Sequence, residues 1–177
     1  MTAIAGFVQD GKVWIGGDSA AVDGCNLTLR ADQKVFRNGE FVFGFTSSFR
    51  MGQLLRYAFT PPTQKENQDI FTFMVTDFAN AARECLKAGG YAKKKDEEES
   101  GGVFLVGYRG RLFRIDSDYQ IGEPLDGYDA CGCGELILRG ALYATQGASA
   151  EERMQIALTA AEHHSAGVRG PFHSESL

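Results

Sequence analysis

An Asp10-Gly11 pair stands between two apolar runs at the start of the chain, residues 2–9 and 12–17. A two-residue turn of that composition accepts positive φ at both positions and matches the twist of its flanking strands, so it joins them into a tight β-hairpin. The hairpin constrains the rest of the fold. Its open end carries Thr2 on one strand and Gly17-Asp18 on the other, so the second residue of the chain already belongs to a folded sheet. Asp18 follows Thr2 by sixteen positions and Lys34 by thirty-two. A strand layout of this kind returns Asp18 and Lys34 to the end where Thr2 sits.

Those three residue types make a chemical set. A threonine hydroxyl is a weak nucleophile until a neighbouring base takes its proton, and an N-terminal amine serves as such a base. Removal of Met1, which the small threonine side chain permits, would leave Thr2 with nucleophile and base on one residue. A free α-amine titrates near pH 8, and a buried cation beside it, Lys34, favours its neutral form. A carboxylate partner, Asp18, would keep Lys34 charged. Taken one at a time, these are simply the residue after the initiator and two surface charges. Their joint spacing is what calls for a chemical reading.

The stretch from Thr2-Ala3-Ile4-Ala5-Gly6 to Gly17-Asp18-Ser19-Ala20-Ala21, followed by Asp32-Gln33-Lys34-Val35, closely resembles the N-terminal part of proteasome β-type subunits. It is most similar to the small bacterial and phage HslV-like ring proteins. In that family the mature N-terminal threonine is the nucleophile, with an aspartate and a lysine sixteen and thirty-two residues beyond it. The resemblance is dense over about the first 55 residues and returns at 130–145. It implies an α+β fold, the four-layer αββα sandwich of the N-terminal nucleophile hydrolases. It also implies stacked hexameric or heptameric rings, an unfolded polypeptide substrate and, in some members, an ATPase unfoldase partner. Ala21 and its neighbours would shape the pocket for the residue before the cut.

Three places depart from the family pattern. Where a glycine backbone N–H usually forms the oxyanion hole, this chain has Ser47-Ser48, with Gly44 nearby. A main-chain donor survives a side-chain change, so the resemblance points to Ser47, with Gly44 as the alternative. Serine is also a favoured helix N-cap, and the two roles are compatible. At Gly132-Cys133-Gly134 the family commonly has Gly-Ser-Gly, and Cys133 takes the place of the serine. A thiol is the poorer hydrogen-bond donor. Near the last helix, where many members carry an aspartate and a serine, the chain reads His163-His164-Ser165-Ala166-Gly167. None of those five is assigned a catalytic role.

Cys131, Cys133, His163, His164 and His173 do not make a convincing metal set. Cys-x-Cys is shorter than the usual zinc spacing, and adjacent helical histidines point about 100° apart. No cofactor is expected. The four cysteines read as reduced, mostly buried small residues, which together with the lack of a signal peptide points to the cytoplasm. At 177 residues and 44% apolar content the chain forms one domain, 1–177, with a sizeable core. A net charge of −5 argues against a nucleic-acid surface, and no apolar run has the length of a membrane span.

Further strands are expected at 27–30, 35–37 and 40–45, and a second hairpin at 103–108 and 111–115 turning at Arg109-Gly110. Helices are expected at 49–59, 69–87, 135–145 and 150–166, the last with Ser149 and Glu152 as a capping box. Exposed apolar residues on the 49–59 helix would serve a ring interface. In the 69–87 helix, Phe71, Met74, Val75, Phe78, Ala82 and Cys85 recur as one apolar face. The charged run 93–100 reads as a solvated loop, and 172–177 as a short closing strand. The reading as a whole is a threonine endopeptidase using Thr2, Asp18, Lys34, Ser47 and Cys133. Two alternatives stand beside it: a catalytically silent ring scaffold, and a related amidohydrolase acting on a small amide.

Overall fold

The computed structural model describes residues 1–91, 93–95 and 98–177. Six strands come first: β1 (Ala3–Gln9), β2 (Lys12–Gly17), β3 (Ala20–Asp23), β4 (Asn26–Leu29), β5 (Val35–Asn38) and β6 (Phe41–Phe45). Helices α1 (Phe49–Tyr57), α2 (Ile70–Phe73) and α3 (Ala79–Ala88) come next, with a π-helical turn at Met74–Phe78 joining the last two. Then come strands β7 (Lys93–Lys95), β8 (Glu98–Ser100), β9 (Phe104–Tyr108), β10 (Arg111–Ile115), β11 (Ile121–Gly122) and β12 (Tyr128–Gly132). Helices α4 (Glu135–Ala144) and α5 (Ala150–His164) and a closing strand β13 (His173–Ser176) complete the order.

The first hairpin forms as its turn dictates, with φ of 53° at Asp10 and 73° at Gly11 and Gln9 opposite Lys12. Arg109 and Gly110 repeat the device between β9 and β10, with φ of 46° and 74°. Both turns lie in the left-handed region that a two-residue hairpin requires. Two larger sheets result among the described residues, both antiparallel. One has the order β12-β1-β2-β13 and the other β11-β10-β9-β6-β5, while β3 and β4 pair only with each other.

Three apolar clusters hold the elements together. Ile4, Val13 and Ile15 of the first sheet pack against Val35, Val42, Leu105 and Leu112 of the second. On its other side the first sheet packs Ala3, Ala5 and Phe7 against Leu138, Leu142, Ala157 and Ala161 of α4 and α5. The second sheet packs an aromatic group, including Phe36, Phe41, Phe43 and Tyr108, against α1, α3 and the π turn. Alternation along a strand, with side chains pointing to opposite faces, puts Ala3, Ala5 and Phe7 in one cluster and Ile4 in another. Fully burying side chains of this kind contributes about 1.5–3 kcal/mol each.

Several expectations need correction. The charge pattern of 93–100 predicts a loop, but β7 and β8 pair antiparallel there; positions 96 and 97 lie outside the described residues. The apolar face expected around Phe71 and Val75 is rotated, since both are 39% exposed while Phe73 is fully buried. The cause is the π turn, which adds a residue to one helical turn and shifts the buried stripe by one position upstream of Phe78. Of the four cysteines only Cys131 is buried; Cys85 is intermediate, and Cys25 and Cys133 are exposed. Strands β3, β11 and β12 add to the expected set.

Candidate active site

Thr2 immediately precedes β1 and is anchored from the neighbouring strand end. Its carbonyl accepts from the Gly134 N–H at 3.4 Å. Gly132, with φ of 97°, makes this approach possible: a Cβ there would lie 2.2 Å from the Thr2 carbonyl oxygen. Asp18 follows the last residue of β2 and Lys34 precedes the first of β5, so two sheets that pack face to face deliver the pair to one place.

Asp18 is 1% exposed and its carboxylate is saturated with donors. Oδ1 accepts from Lys34 Nζ at 2.7 Å and from the Ala3 N–H at 3.0 Å. Oδ2 accepts from the Ala20 N–H at 3.0 Å and the Arg169 N–H at 3.3 Å. Lys34, 2% exposed, gives a second N–H to Thr2 Oγ1 at 3.0 Å. Thr2 Oγ1 in turn donates to the Met1 carbonyl at 2.6 Å. Burial pushes the Lys34 ammonium below its ordinary pKa, and the charge and hydrogen bond of Asp18 oppose that fall without cancelling it. A buried cation thus sits against the threonine hydroxyl, held by a carboxylate that four donors fix.

Cys133 also reaches this centre. Its Sγ accepts from the Thr2 backbone N–H at 3.3 Å and lies 3.4 Å from the Thr2 carbonyl oxygen. The Ser165 hydroxyl, to which the sequence pattern assigns no role, stands 3.4 Å from the same sulfur. His163 and His164, at the end of α5, are exposed and pack ring to ring. Among the described residues no group of three or more His, Cys, Asp or Glu side chains is placed to hold a metal ion, and no helix is long and apolar enough to cross a membrane.

Beside Thr2 opens a cavity of about 390 Å³ lined by Lys34, Ser47 and the β3–β4 hairpin among others. Ser47 has φ of 70°, a conformation that suits glycine, and its Oγ accepts from the Val103 N–H at 3.0 Å. Ser48 is the N-cap of α1, its side chain accepting from the Arg50 N–H. The two serines therefore divide between loop and cap. Gly44, the other candidate, lies inside β6, and its Cβ would stand 2.5 Å from Ile15 and 2.6 Å from Ile4. It lets the sheets approach each other and does not line the cavity.

The segment after α5 closes the site from behind. Arg169 binds Asp18 through its N–H, the Ser19 N–H donates to the Arg169 carbonyl at 2.9 Å, and Ser19 Oγ donates to the Pro171 carbonyl at 2.6 Å. No periodicity marks this stretch, so the sequence carried no signal for Arg169 beyond its position before Gly170-Pro171.

The fold has counterparts among solved structures. A protein of Thiobacillus denitrificans, BPH, determined in complex with epoxomicin, superposes with a TM-score of 0.80 at 20% identity, covering 99% of this chain and 97% of that one. Eukaryotic HslV from Trypanosoma brucei gives 0.70 at 20% identity, covering 99% and 98%. A mutant of Anbu from Hyphomicrobium sp. strain MC1 gives 0.66 at 15%, covering 98% and 80%. All three are N-terminal nucleophile proteins of proteasome type. This chain shares their fold. Neither a protein-family model nor a curated protein sequence matches it; the likeness to the solved structures is one of fold, over 98–99% of the chain.

Proposed function

We propose that the chain is a proteasome-type threonine endopeptidase acting on unfolded polypeptide. The observation that carries the reading is the buried Thr2–Lys34–Asp18 contact at the edge of an open cavity. Once Met1 is removed, Thr2 N becomes an α-amine beside its own hydroxyl. The positive charge of Lys34 favours the neutral amine, which takes the Oγ proton directly or through water as Oγ attacks a peptide carbonyl. The Ser47 N–H is the donor assigned to the oxyanion, a role that needs only backbone. The protonated α-amine then gives that proton to the leaving nitrogen as the C–N bond breaks, and a water that the amine deprotonates in turn releases the acyl group from Oγ. Cys133 holds the Thr2 nitrogen.

The same reading takes the chain as one domain, 1–177, built as a four-layer αββα sandwich; the three apolar clusters support that layering. It extends to stacked hexameric or heptameric rings in the cytoplasm, fed by an ATPase unfoldase, with no nucleic acid, membrane or cofactor involved. Exposed Tyr57 on α1 and Leu136 and Tyr143 on α4 offer apolar surface for such an assembly. The test is intact mass before and after a peptide epoxyketone, which needs a hydroxyl and a free α-amine together. Loss of Met1 with one adduct per chain, absent in Thr2→Ala, is the expected result. Retained Met1 without adduct would sink the reading in favour of a silent ring scaffold, and turnover of small amides but not peptides would favour an amidohydrolase.

A further inference from the structure

A thiol at position 133 brings chemistry that a serine hydroxyl lacks. Its sulfur can be oxidised, and the oxidised sulfur is open to attack by a nucleophile. Cys133 is exposed, so a small oxidant reaches it from solvent. Its Sγ stands 3.3 Å from Thr2 N. Removal of Met1 turns that nitrogen into a primary amine. A sulfur and a nucleophilic nitrogen then face each other within the separation of about 3–3.5 Å at which reacting atoms are poised.

The contact is set by the sheet and not by side-chain freedom alone. Gly132, next to Cys133, pairs with Ala3, next to Thr2, across β12 and β1. The Gly134 N–H holds the Thr2 carbonyl at 3.4 Å, and Lys34 holds the Thr2 hydroxyl at 3.0 Å. The other three cysteines are placed differently. Cys131 is fully buried, and burial pushes its thiol well above the ordinary range. Cys85 is half-buried and gives its thiol to the Leu54 carbonyl at 3.8 Å. Cys25 is exposed at the turn between β3 and β4.

We infer that Cys133 is a reversible oxidation site whose product is a sulfur–nitrogen bond to Thr2, an inference that rests on the removal of Met1 in the peptidase reading. Hydrogen peroxide or an organic peroxide is the oxidant. The Cys133 thiolate attacks the peroxide; an S–O bond forms, the O–O bond breaks, and hydroxide or alkoxide leaves behind the sulfenic acid. The Thr2 amine then attacks the sulfur. The S–N bond forms as the S–O bond breaks, and the oxygen departs as water with one of the amine protons. Ser165, with its hydroxyl 3.4 Å from the sulfur, is within reach of that departing oxygen. The product lacks two hydrogens of the reduced chain, and its nitrogen no longer serves as the base. A thiol reductant restores both groups, two of its molecules joining as a disulfide. Capture by the amine also keeps the sulfur from the irreversible sulfinic state.

The experiment treats full-length protein with hydrogen peroxide, digests it with trypsin in the absence of reductant, and maps the peptides by tandem mass spectrometry. A second portion is assayed for epoxyketone adduct formation. The expected product joins peptide 2–12 to peptide 115–139, two hydrogens lighter than their sum. Peptide 2–12 contains no cysteine, so no disulfide yields that product. Adduct formation should fall at least tenfold, since a general base supplies about 10²–10⁴-fold, and should return with dithiothreitol. Cys133→Ser should give no joined peptide and should keep its own rate of adduct formation through the same treatment. Oxygen added at Cys133 with peptide 2–12 left free, or a joined product that leaves adduct formation undiminished, would overturn the inference, while the adduct formed before peroxide leaves the peptidase reading standing. Retained Met1 with no adduct before peroxide would overturn both.

Discussion

Replacing Lys34 by methionine separates what the buried ion pair does for the fold from what it does for the chemistry. Methionine keeps most of the length and apolar stem of lysine but removes the charge, leaving the Asp18 carboxylate without its cation at 1% exposure. Breaking a buried pair by removing one partner typically costs about 3–5 kcal/mol. Here the carboxylate keeps three backbone donors, from Ala3, Ala20 and Arg169, which puts the expected loss near the lower end, about 3 kcal/mol. For a chain of this size each kcal/mol moves Tm by about 2–4 °C, so the fall should be about 6–12 °C. The double variant Lys34→Met/Asp18→Asn removes both charges and should recover about 1–2 kcal/mol of that loss, since no ion is then left unpaired. Urea titration of wild type, both single variants and the double gives the coupling. Epoxyketone adduct formation should be abolished in both Lys34 variants, whatever their stability. A single variant within about 1 kcal/mol of wild type, or a double variant less stable than the two singles predict by addition, would refute the view of Lys34 and Asp18 as a mutually dependent buried pair.

The same geometry fixes other outcomes. Lys34 is held below its ordinary 10.5 by burial; the unfolded chain therefore binds more protons between the folded value and 10.5, and this group's contribution to stability rises with pH across that interval. Tm measured as pH is raised should show the rise in wild type and lose it in Lys34→Met. Gly132→Ala would drive a Cβ to 2.2 Å from the Thr2 carbonyl oxygen, so it should displace Thr2 and cut adduct formation at least tenfold, about 1.4 kcal/mol of barrier. Ser47→Gly relieves a left-handed φ but gives up the Val103 contact and adds chain entropy, so stability by urea titration should stay within about 1 kcal/mol and adduct formation should persist. Gly44→Ala overpacks the space between the sheets and should cost about 1–3 kcal/mol, read by the same titration.

What the sequence made legible was what short-range rules control. The Asp10-Gly11 and Arg109-Gly110 turns name their own geometry, and the helices that begin at Phe49, Glu135 and Ala150 carry their caps or apolar stripes in plain order. The spacing of Thr2, Asp18 and Lys34 was visible because two of them adjoin strands of the first hairpin. What stayed hidden depends on distant partners. Strand β3 is four residues long and among the described residues pairs only with β4, so no alternation marks it off from a loop. The π turn at Met74–Phe78 looks in sequence like continuous helix, and its extra residue becomes visible only as the exchange of Phe71 for Phe73 in the core. Ser165 and Arg169 act through segments that no local pattern predicts.

Two of the three departures from the family pattern gain a physical account from the same distinction. At position 47 the group that the proposed mechanism uses is a backbone N–H in a left-handed bend, which serine carries at the strain of a non-glycine φ, while its hydroxyl adds a tie to Val103 that glycine lacks. At position 133 the contact to Thr2 N asks the side chain to accept, not to donate, and sulfur accepts at 3.3 Å. The weaker half of the substitution is donation, since the S–H is the poorer donor and the two oxygens near Sγ stand at 3.4 Å. When Met1 is gone and Thr2 N is an amine with protons to place, holding that nitrogen needs an acceptor, which cysteine provides. Returning a proton through the Cys133–Ser165 contact needs a donor, which serine would provide better. Cys133→Ser should therefore leave Thr2 in place and speed adduct formation at most a few-fold, whereas Cys133→Val, which has neither capacity, should slow it by an order of magnitude or more.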